Sequence, residues 1–534
     1  MIRCRRQRQR AVANGRARLL MTILVSAATI AAVLVIGLLP RRAVSLPLYA
    51  RQTGQPCATC HTAFLELTPF GRRFKLGGYT LDGGDWKGPP FAVMLQPTFT
   101  NTQAAQPGGA APGFGVNNNF VLQQASLFTG GKITDNLGAF IQGTYDGVAH
   151  RFAWDNTDIR VAKQVNLYGH TLLWGATVNN NPTVQDVWNT IPAWSFPFIS
   201  SALAPMPTAS TFIEQVYAQQ VAGLSGYSFL DDTFYFEFGG YWPLGTNTQR
   251  ALGIIPTGES PISGIAPYWR VAAEPIFGKH AWEFGTFGLA SNVVPMGIVG
   301  AGNDSFTDIG IDTQYQYLGD PHTVTVRGAW IHENHNTSAS QTLGLANNSN
   351  NQLRSLNVSA SYFYDATWSL TAGRVSVGGT PDAALYGTFT GSPNSAGWIF
   401  ELAYLPFSHG GPAFWPWLNF RIGLQYTHWT KFDGATTNID GMGRNASDQQ
   451  YDLRIHLDYV LIRRRIDRSS PLCRVPVCGR HRPSRVILPS ASAPRCLAFS
   501  SASLAVNRRR RSRPRDNRDM TVPIGTPWTR AASS

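Results

Sequence analysis

The sequence predicts an all-β fold: a single transmembrane antiparallel β-barrel of about 16 strands, closed on itself. Three observations predict it. Charged residues are 14% of the chain, well below the roughly 25% usual for soluble proteins. Glycine (52 residues) and aromatics (12%) are abundant, which suits a barrel that shows apolar rings to lipid and tight turns to water. From residue 91 onward, short runs alternate in polarity with a period of two, the period at which side chains change face on a strand.

In chain order, residues 1–45 read as a secretory signal. Nine arginines and no acid occupy this stretch, and Leu19 to Leu39 is almost wholly apolar. Ala43-Val44-Ser45 then offers a small-x-small cleavage site. A retained membrane anchor is the alternative, since about 20 apolar residues can span a bilayer and Arg41 and Arg42 resemble a stop signal. Met21 offers a second start.

The strand runs include Phe120–Phe128, Asp232–Trp242, Thr323–Trp330, Leu356–Tyr364, Trp398–Tyr404, Leu418–Trp429 and Tyr451–Val460. Turns rich in Asn, Gly and Pro separate them, as at Asn179–Pro182, Gly302–Asp304, Asn347–Asn351 and Gly391–Asn394. About sixteen such segments fit between 91 and 462, the expected barrel, and bacterial barrels prefer an even number. A large soluble β-sandwich or propeller is the alternative, but no fixed repeat appears. The stretch Asn179–Ser210 breaks the strand rhythm and is expected either to fold into the lumen or to form a surface loop. Trp242–Pro267 is a second long connection.

Residues 463–534 lack the period and hold seventeen arginines between 461 and the end. They read as a disordered or aberrant tail. Between residues 46 and 460 lie 19 basic and 28 acidic residues, a net charge of −9 despite +14 for the whole chain. An acidic body argues against a nucleic-acid partner and is compatible with attracting cations.

Of six cysteines, only Cys57 and Cys60 lie in that body, so no disulfide framework holds the barrel. They belong to Cys57-Ala58-Thr59-Cys60-His61, a C-x-x-C-H sequence. Two thiols three positions apart can each form a thioether with a haem vinyl group, and the adjacent histidine then serves as proximal iron ligand. A thioredoxin-like redox pair or half a zinc site are the alternatives; no second cysteine pair with zinc spacing accompanies it. The 46–90 segment, about 45 residues, is too short for an independent haem domain with its own core. It must lean on the barrel, whose lumen is wide enough to receive it as a plug.

The run Arg51-Gln52-Thr53-Gly54-Gln55-Pro56-Cys57-Ala58-Thr59-Cys60-His61 is followed by Leu67-Thr68-Pro69-Phe70-Gly71-Arg72-Arg73-Phe74-Lys75-Leu76-Gly77-Gly78-Tyr79. Over these residues the chain resembles the fused outer-membrane monohaem cytochrome–porin family, which includes the c-type cytochromes of iron-oxidising bacteria. The resemblance implies one covalent haem c held by Cys57 and Cys60, with His61 on the iron. It implies a place in the outer membrane, an extracellular electron donor such as Fe(II), and a periplasmic c-type cytochrome or other carrier as acceptor. The arginine-rich C-terminus departs from the pattern.

Beyond the motif, Arg72, Arg73 and Lys75 form a basic cluster; Arg72 and Lys75 are candidates to pair with haem propionates, a solvated turn being the alternative. Met94 is the nearest methionine downstream and a candidate distal ligand, or else a lipid- or lumen-facing strand residue. His332 and His335 are expected in a rim loop, where they would be a weak metal pair. The leading function is electron transfer, with Fe(II) oxidation as the activity if the chain is an enzyme. A solute porin whose haem plug acts as redox gate or sensor is the alternative. An inner-membrane-anchored cytochrome with a soluble β domain is the third.

Overall fold

A computed structural model describes residues 48–62, 66–83, 91–191, 201–214, 217–254, 261–409 and 418–456. The signal read at 1–45, the tail at 463–534 and the end of the run drawn to Val460 lie outside these residues.

Among the described residues 16 antiparallel strands follow one another round a closed sheet. They are β1 (Phe91–Thr102), β2 (Asn119–Lys132), β3 (Leu137–Asp146), β4 (Arg151–Leu167), β5 (His170–Asn179), β6 (Val221–Leu230), β7 (Phe234–Pro243) and β8 (Ala266–Ala273). After Pro275, β8 resumes for two residues, Ile276–Phe277, against the same neighbour. Then come β9 (His280–Val293), β10 (Asp304–Leu318), β11 (His322–Asn336), β12 (Asn350–Tyr364), β13 (Trp368–Gly379), β14 (Ser395–Tyr404), β15 (Ile422–Lys431) and β16 (Tyr451–His456). The run expected from Leu418 enters the ladder only at Ile422.

Each strand pairs with its sequence neighbour, and β16 pairs with β1 to close the ring, Thr102 opposite Tyr451 and Thr98 opposite His456. Closure leaves no unpaired edge, the condition for strands to cross lipid. No helix among the described residues is long and apolar enough to do so.

The faces are reversed relative to a soluble protein. On β7, Phe234, Phe236 and Phe238 are exposed while Tyr235 and Glu237 are buried. On β10, Ile309 and Ile311 face out while Asp308, Asp312, Gln314 and Gln316 are buried. The alternation seen in the sequence therefore sorts apolar residues to the lipid side and polar ones to the lumen. The turns sort too. Short connections such as Tyr168-Gly169, Gly278-Lys279 and Asp365–Thr367 lie at one end, with the start of β1. Of the long ones, 103–118, 180–220, 244–265 and 380–394 lie at the other, while 405–421 joins its strands at the short-turn end. In bacterial barrels the short-turn end is periplasmic and the long-loop end extracellular.

Two stretches of chain fill the lumen. The N-terminal segment holds helices α1 (Leu48–Thr53), α2 (Cys57–Cys60) and α3 (Pro69–Leu76). The stretch after β5 folds inward, with α4 (Pro182–Gln185) followed by Trp188 and Ile191, both fully buried. Asp186 sets this turn, its carboxylate accepting from the backbone N–H of Trp188 at 3.0 Å and of Thr190 at 2.9 Å. Of the two courses open to Asn179–Ser210, residues 179–191 take the inward one. Such a barrel should run faster on gels unheated than boiled, and should pellet with outer membranes. Recovery as a soluble periplasmic protein would contradict the fold.

Candidate haem c site

Local hydrogen bonds shape the Cys-Ala-Thr-Cys-His turn. Pro56 caps α2, the N–H of Thr59 donates to its carbonyl at 3.0 Å, and the N–H of His61 donates to Cys57 O at 2.9 Å. One helical turn puts Cys57 and Cys60 on the same side, three positions apart. His61 leaves the helix in extended conformation and bridges to Leu67.

The run Leu67-Thr68-Pro69-Phe70-Gly71 is the platform beneath this turn. Thr68 is the N-cap of α3: its hydroxyl accepts from Gly71 N at 3.2 Å and donates to Thr59 O at 2.6 Å, with Pro69 at the first helical position. Thr68 N donates to Cys60 O at 2.9 Å. Gly71 admits no side chain, because a Cβ there would stand 2.2 Å from Cys60 O. The sequence reading did not place α3, although Thr68-Pro69 is an ordinary helix start; the need for Gly71 has no local signal, since it arises from a contact eleven residues away in sequence.

Cys57, Cys60 and His61 line one cavity of about 510 Å³. Cofactor sites ordinarily fall in the range of about 300–1,000 Å³. Around the motif the wall is apolar and aromatic, with Leu48, Phe74, Ala92, Phe128 and Phe140. Farther along it turns polar, with Gln142, Thr144 and Asp155, and it reaches Asp146, Arg151 and Ile254 at the long-loop end. Asp155 is held by Thr144 at 2.6 Å and Gln219 at 2.8 Å. These wall residues carry no local signal that sequence reading could have used.

Burial lowers the His61 imidazole to about 4, the Glu66 carbonyl opposing weakly, so the ring is neutral near pH 7. A neutral ring is the ligating form. Its Nδ1 is buried with no hydrogen-bond partner among the described residues. Burial first, and Cys57 second, push the Cys60 thiol up to about 11. A neutral imidazole and two thiols on the wall of a cofactor-sized cavity, apolar around the motif, fit a covalently held haem.

The other sequence candidates separate. Lys75 lines the cavity; burial lowers its ammonium to about 8, against the attraction of Asp158. Met94 also lines it, on the inward face of β1 and only 3% exposed. Arg72 does not. Its guanidinium is taken up by the barrel wall: Nη2 and Nε meet Glu274 at 2.7 and 3.0 Å, and Nη1 donates to Gln314 and Gln316, each at 3.0 Å. Arg73 pairs with Asp232 at 2.5 Å. The geometry thus makes Arg72 an anchor of the segment. His332 and His335 are in β11, not in a rim loop. Their odd spacing turns them to opposite faces, His335 buried and His332 beside Trp330 outside, so they cannot share a metal.

Further bonds seat the segment. Tyr79 donates to Asp158 at 2.6 Å, Tyr227 to Leu76 O at 2.6 Å, and Tyr49 to Ala139 O at 3.0 Å. Glu274 also accepts from Trp188 Nε1 at 2.9 Å, tying the inward loop to the same node.

No family model and no curated protein sequence matches the chain. Solved structures similar to it include Salmonella typhi OmpF in complex with daunomycin, at 13% identity and a TM-score of 0.41, covering 70% of this chain and 97% of that one. The anion-selective porin from Comamonas acidovorans is 10% identical, TM-score 0.39, covering 70% and 99%. Pseudomonas putida OprB at high pH is 11% identical, TM-score 0.40, covering 70% and 94%. Likeness at this level carries the fold no further than the strand ladder does.

Replacing Glu274 by Ala leaves the Arg72 guanidinium buried without its counter-charge, at a cost of about 3–5 kcal/mol. Trypsin should then cut after Arg72, Arg73 or Lys75 while the barrel keeps its heat-modifiable migration. Unchanged protection would contradict the anchoring role.

Proposed function

We propose that this chain is an outer-membrane electron conduit that holds one haem c in its lumen and passes single electrons from an extracellular donor, Fe(II) foremost, to a periplasmic carrier. The observation that carries this reading is the C-x-x-C-H motif on the wall of a cofactor-sized cavity inside a closed barrel. Bound there, the haem would supply a one-electron Fe(III)/Fe(II) couple.

The chain's own residues would do the rest. Cys57 and Cys60 tether the group through thioethers, and His61 offers its neutral imidazole. Phe74, Phe128 and Phe140 exclude water around it, which favours the less charged reduced state and raises the potential. Lys75 is placed to meet a propionate. Arg72 and Tyr79 hold the segment against the wall. The polar stretch of the cavity, with Asp146 and Asp155, leads from the long-loop end toward the motif. An acidic body of net −9 between residues 46 and 460 concentrates divalent cations near it. Outer-sphere transfer needs only close approach and a suitable potential, so no deep substrate pocket is required.

A second reading is a solute porin with the haem plug as redox gate. It is favoured by the lumen's polar lining, with Asp158, Arg160, Glu237 and Arg270 all buried inside the barrel. Conductance in planar bilayers separates the two: a conduit passes little ion current in either redox state, whereas a gate passes current that changes with reduction.

Anaerobic holoprotein in detergent should show its haem reduced on adding Fe(II), at a rate that falls as ionic strength rises. Cys57→Ala or Cys60→Ala should weaken attachment, and His61→Ala should abolish the low-spin spectrum. Fe(II) leaving the haem oxidised while dithionite reduces it would remove iron as donor.

A further inference from the structure

We infer that strand β1 of the barrel supplies the sixth iron ligand through the thioether sulfur of Met94, and that Gln96 is the residue that positions and tunes that sulfur. The inference rests on the haem c reading above and deepens it, since it makes the redox centre a joint property of plug and barrel.

The argument begins with the strand. The inward positions of β1 are Ala92, Met94, Gln96, Thr98, Thr100 and Thr102. Beyond Ala92 all of them are polar except Met94, which sits where a lumen wall would ordinarily carry another threonine or glutamine. Both Met94 and Gln96 line the cavity that also holds His61. They are 3% and 6% exposed. Gln96 Nε2 donates to Met94 Sδ at 3.5 Å, within the range of a hydrogen bond to sulfur. A thioether sulfur has two lone pairs, so one such bond leaves the other available to a metal.

Elimination points the same way. Besides the motif, the cavity-lining side chains with a donor atom suited to haem iron are Met94, Lys75, Tyr49 and Tyr79. Tyr49 and Tyr79 spend their hydroxyls on Ala139 O and Asp158. Lys75 is assigned to a propionate; burial lowers its ammonium to about 8, against the attraction of Asp158, which still leaves it mostly protonated and non-ligating at neutral pH. Among the described residues lining the cavity, Met94 alone offers a neutral, soft donor that needs no deprotonation. Three other described methionines, Met206, Met296 and Met442, are at the surface, 49%, 49% and 81% exposed.

Two chemical consequences follow. Methionine opposite histidine raises the potential relative to bis-histidine ligation, which suits a donor as weakly reducing as aqueous Fe(II). The Gln96 bond draws electron density from the sulfur, weakening its donation to Fe(III) and raising the potential further. A ligand on the wall would also tie the plug to β1.

The test uses full-length holoprotein, with haem-stained denaturing gels to establish covalent attachment independently of ligation. Wild type is expected to be low-spin, with the long-wavelength sulfur-to-Fe(III) charge-transfer band, and to resist imidazole. Met94→Leu should keep covalent haem and heat-modifiable migration, lose that band, and bind imidazole readily. Met94→His should restore a low-spin spectrum at a lower potential, and it remains informative should the leucine variant assemble poorly. Gln96→Leu should stay low-spin with a lowered potential. A Met94→Leu holoprotein with the wild-type band that still excludes imidazole overturns the ligand; an unshifted potential in Gln96→Leu overturns the role of Gln96. Wild type without covalent haem would instead sink the reading beneath.

Discussion

A sheet of 16 strands closes around more space than its own side chains can fill, and the rest of this structure answers that constraint. Two pieces of chain occupy the lumen, and both meet at Glu274. Its carboxylate takes the Arg72 guanidinium from the N-terminal segment and the Trp188 indole from the inward loop. Glu274 continues the inward alternation of β8, next after Ala266, Tyr268, Arg270 and Ala272, and is itself buried. A buried charge so placed is tolerable only when paired on every side, which makes the position of the segment specific rather than merely allowed.

That specificity gives the short segment what it lacks alone. Fewer than fifty residues cannot bury a cofactor in a core of their own. Laid against β1 to β4, they share a cavity whose wall is half segment and half barrel: Cys57, Cys60, His61, Phe74 and Lys75 from one, Ala92, Met94, Phe128, Phe140 and Asp155 from the other. In the reading proposed, the barrel is the haem's binding domain and the plug its carrier. The motif sits toward the end from which β1 starts, while the polar arm of the cavity runs toward the long loops. Such an axis would let a donor approach from one side of the membrane and an acceptor from the other.

The parts of this arrangement that depend on local pattern were legible in the sequence. Phe234-Tyr235-Phe236-Glu237-Phe238 announces both the strand and its lipid face by alternation alone. Cys57 to His61 carries the C-x-x-C-H spacing on which the haem proposal rests. What depends on distant contacts was hidden. Arg72 looks like a propionate clamp until Glu274, 202 residues away, is seen to hold it. His332 and His335 look like a loop pair until β11 is seen to continue through them and part them to opposite faces. Gly71 gives no hint of its purpose until the Cys60 carbonyl is found where its side chain would be. Met94 was visible as a nearby methionine, but only the register of β1 turns it into the cavity.

The central claim is that Cys57 and Cys60 carry a haem by covalent bonds. Mass spectrometry of tryptic peptides from membrane-expressed protein tests it most directly, because cleavage at Arg51 and Arg72 isolates both thiols and His61 on one peptide. The account predicts that peptide with the mass of one haem added and neither thiol open to alkylation. Recovery of the peptide with both cysteines alkylated, from cells able to mature c-type cytochromes, would contradict it.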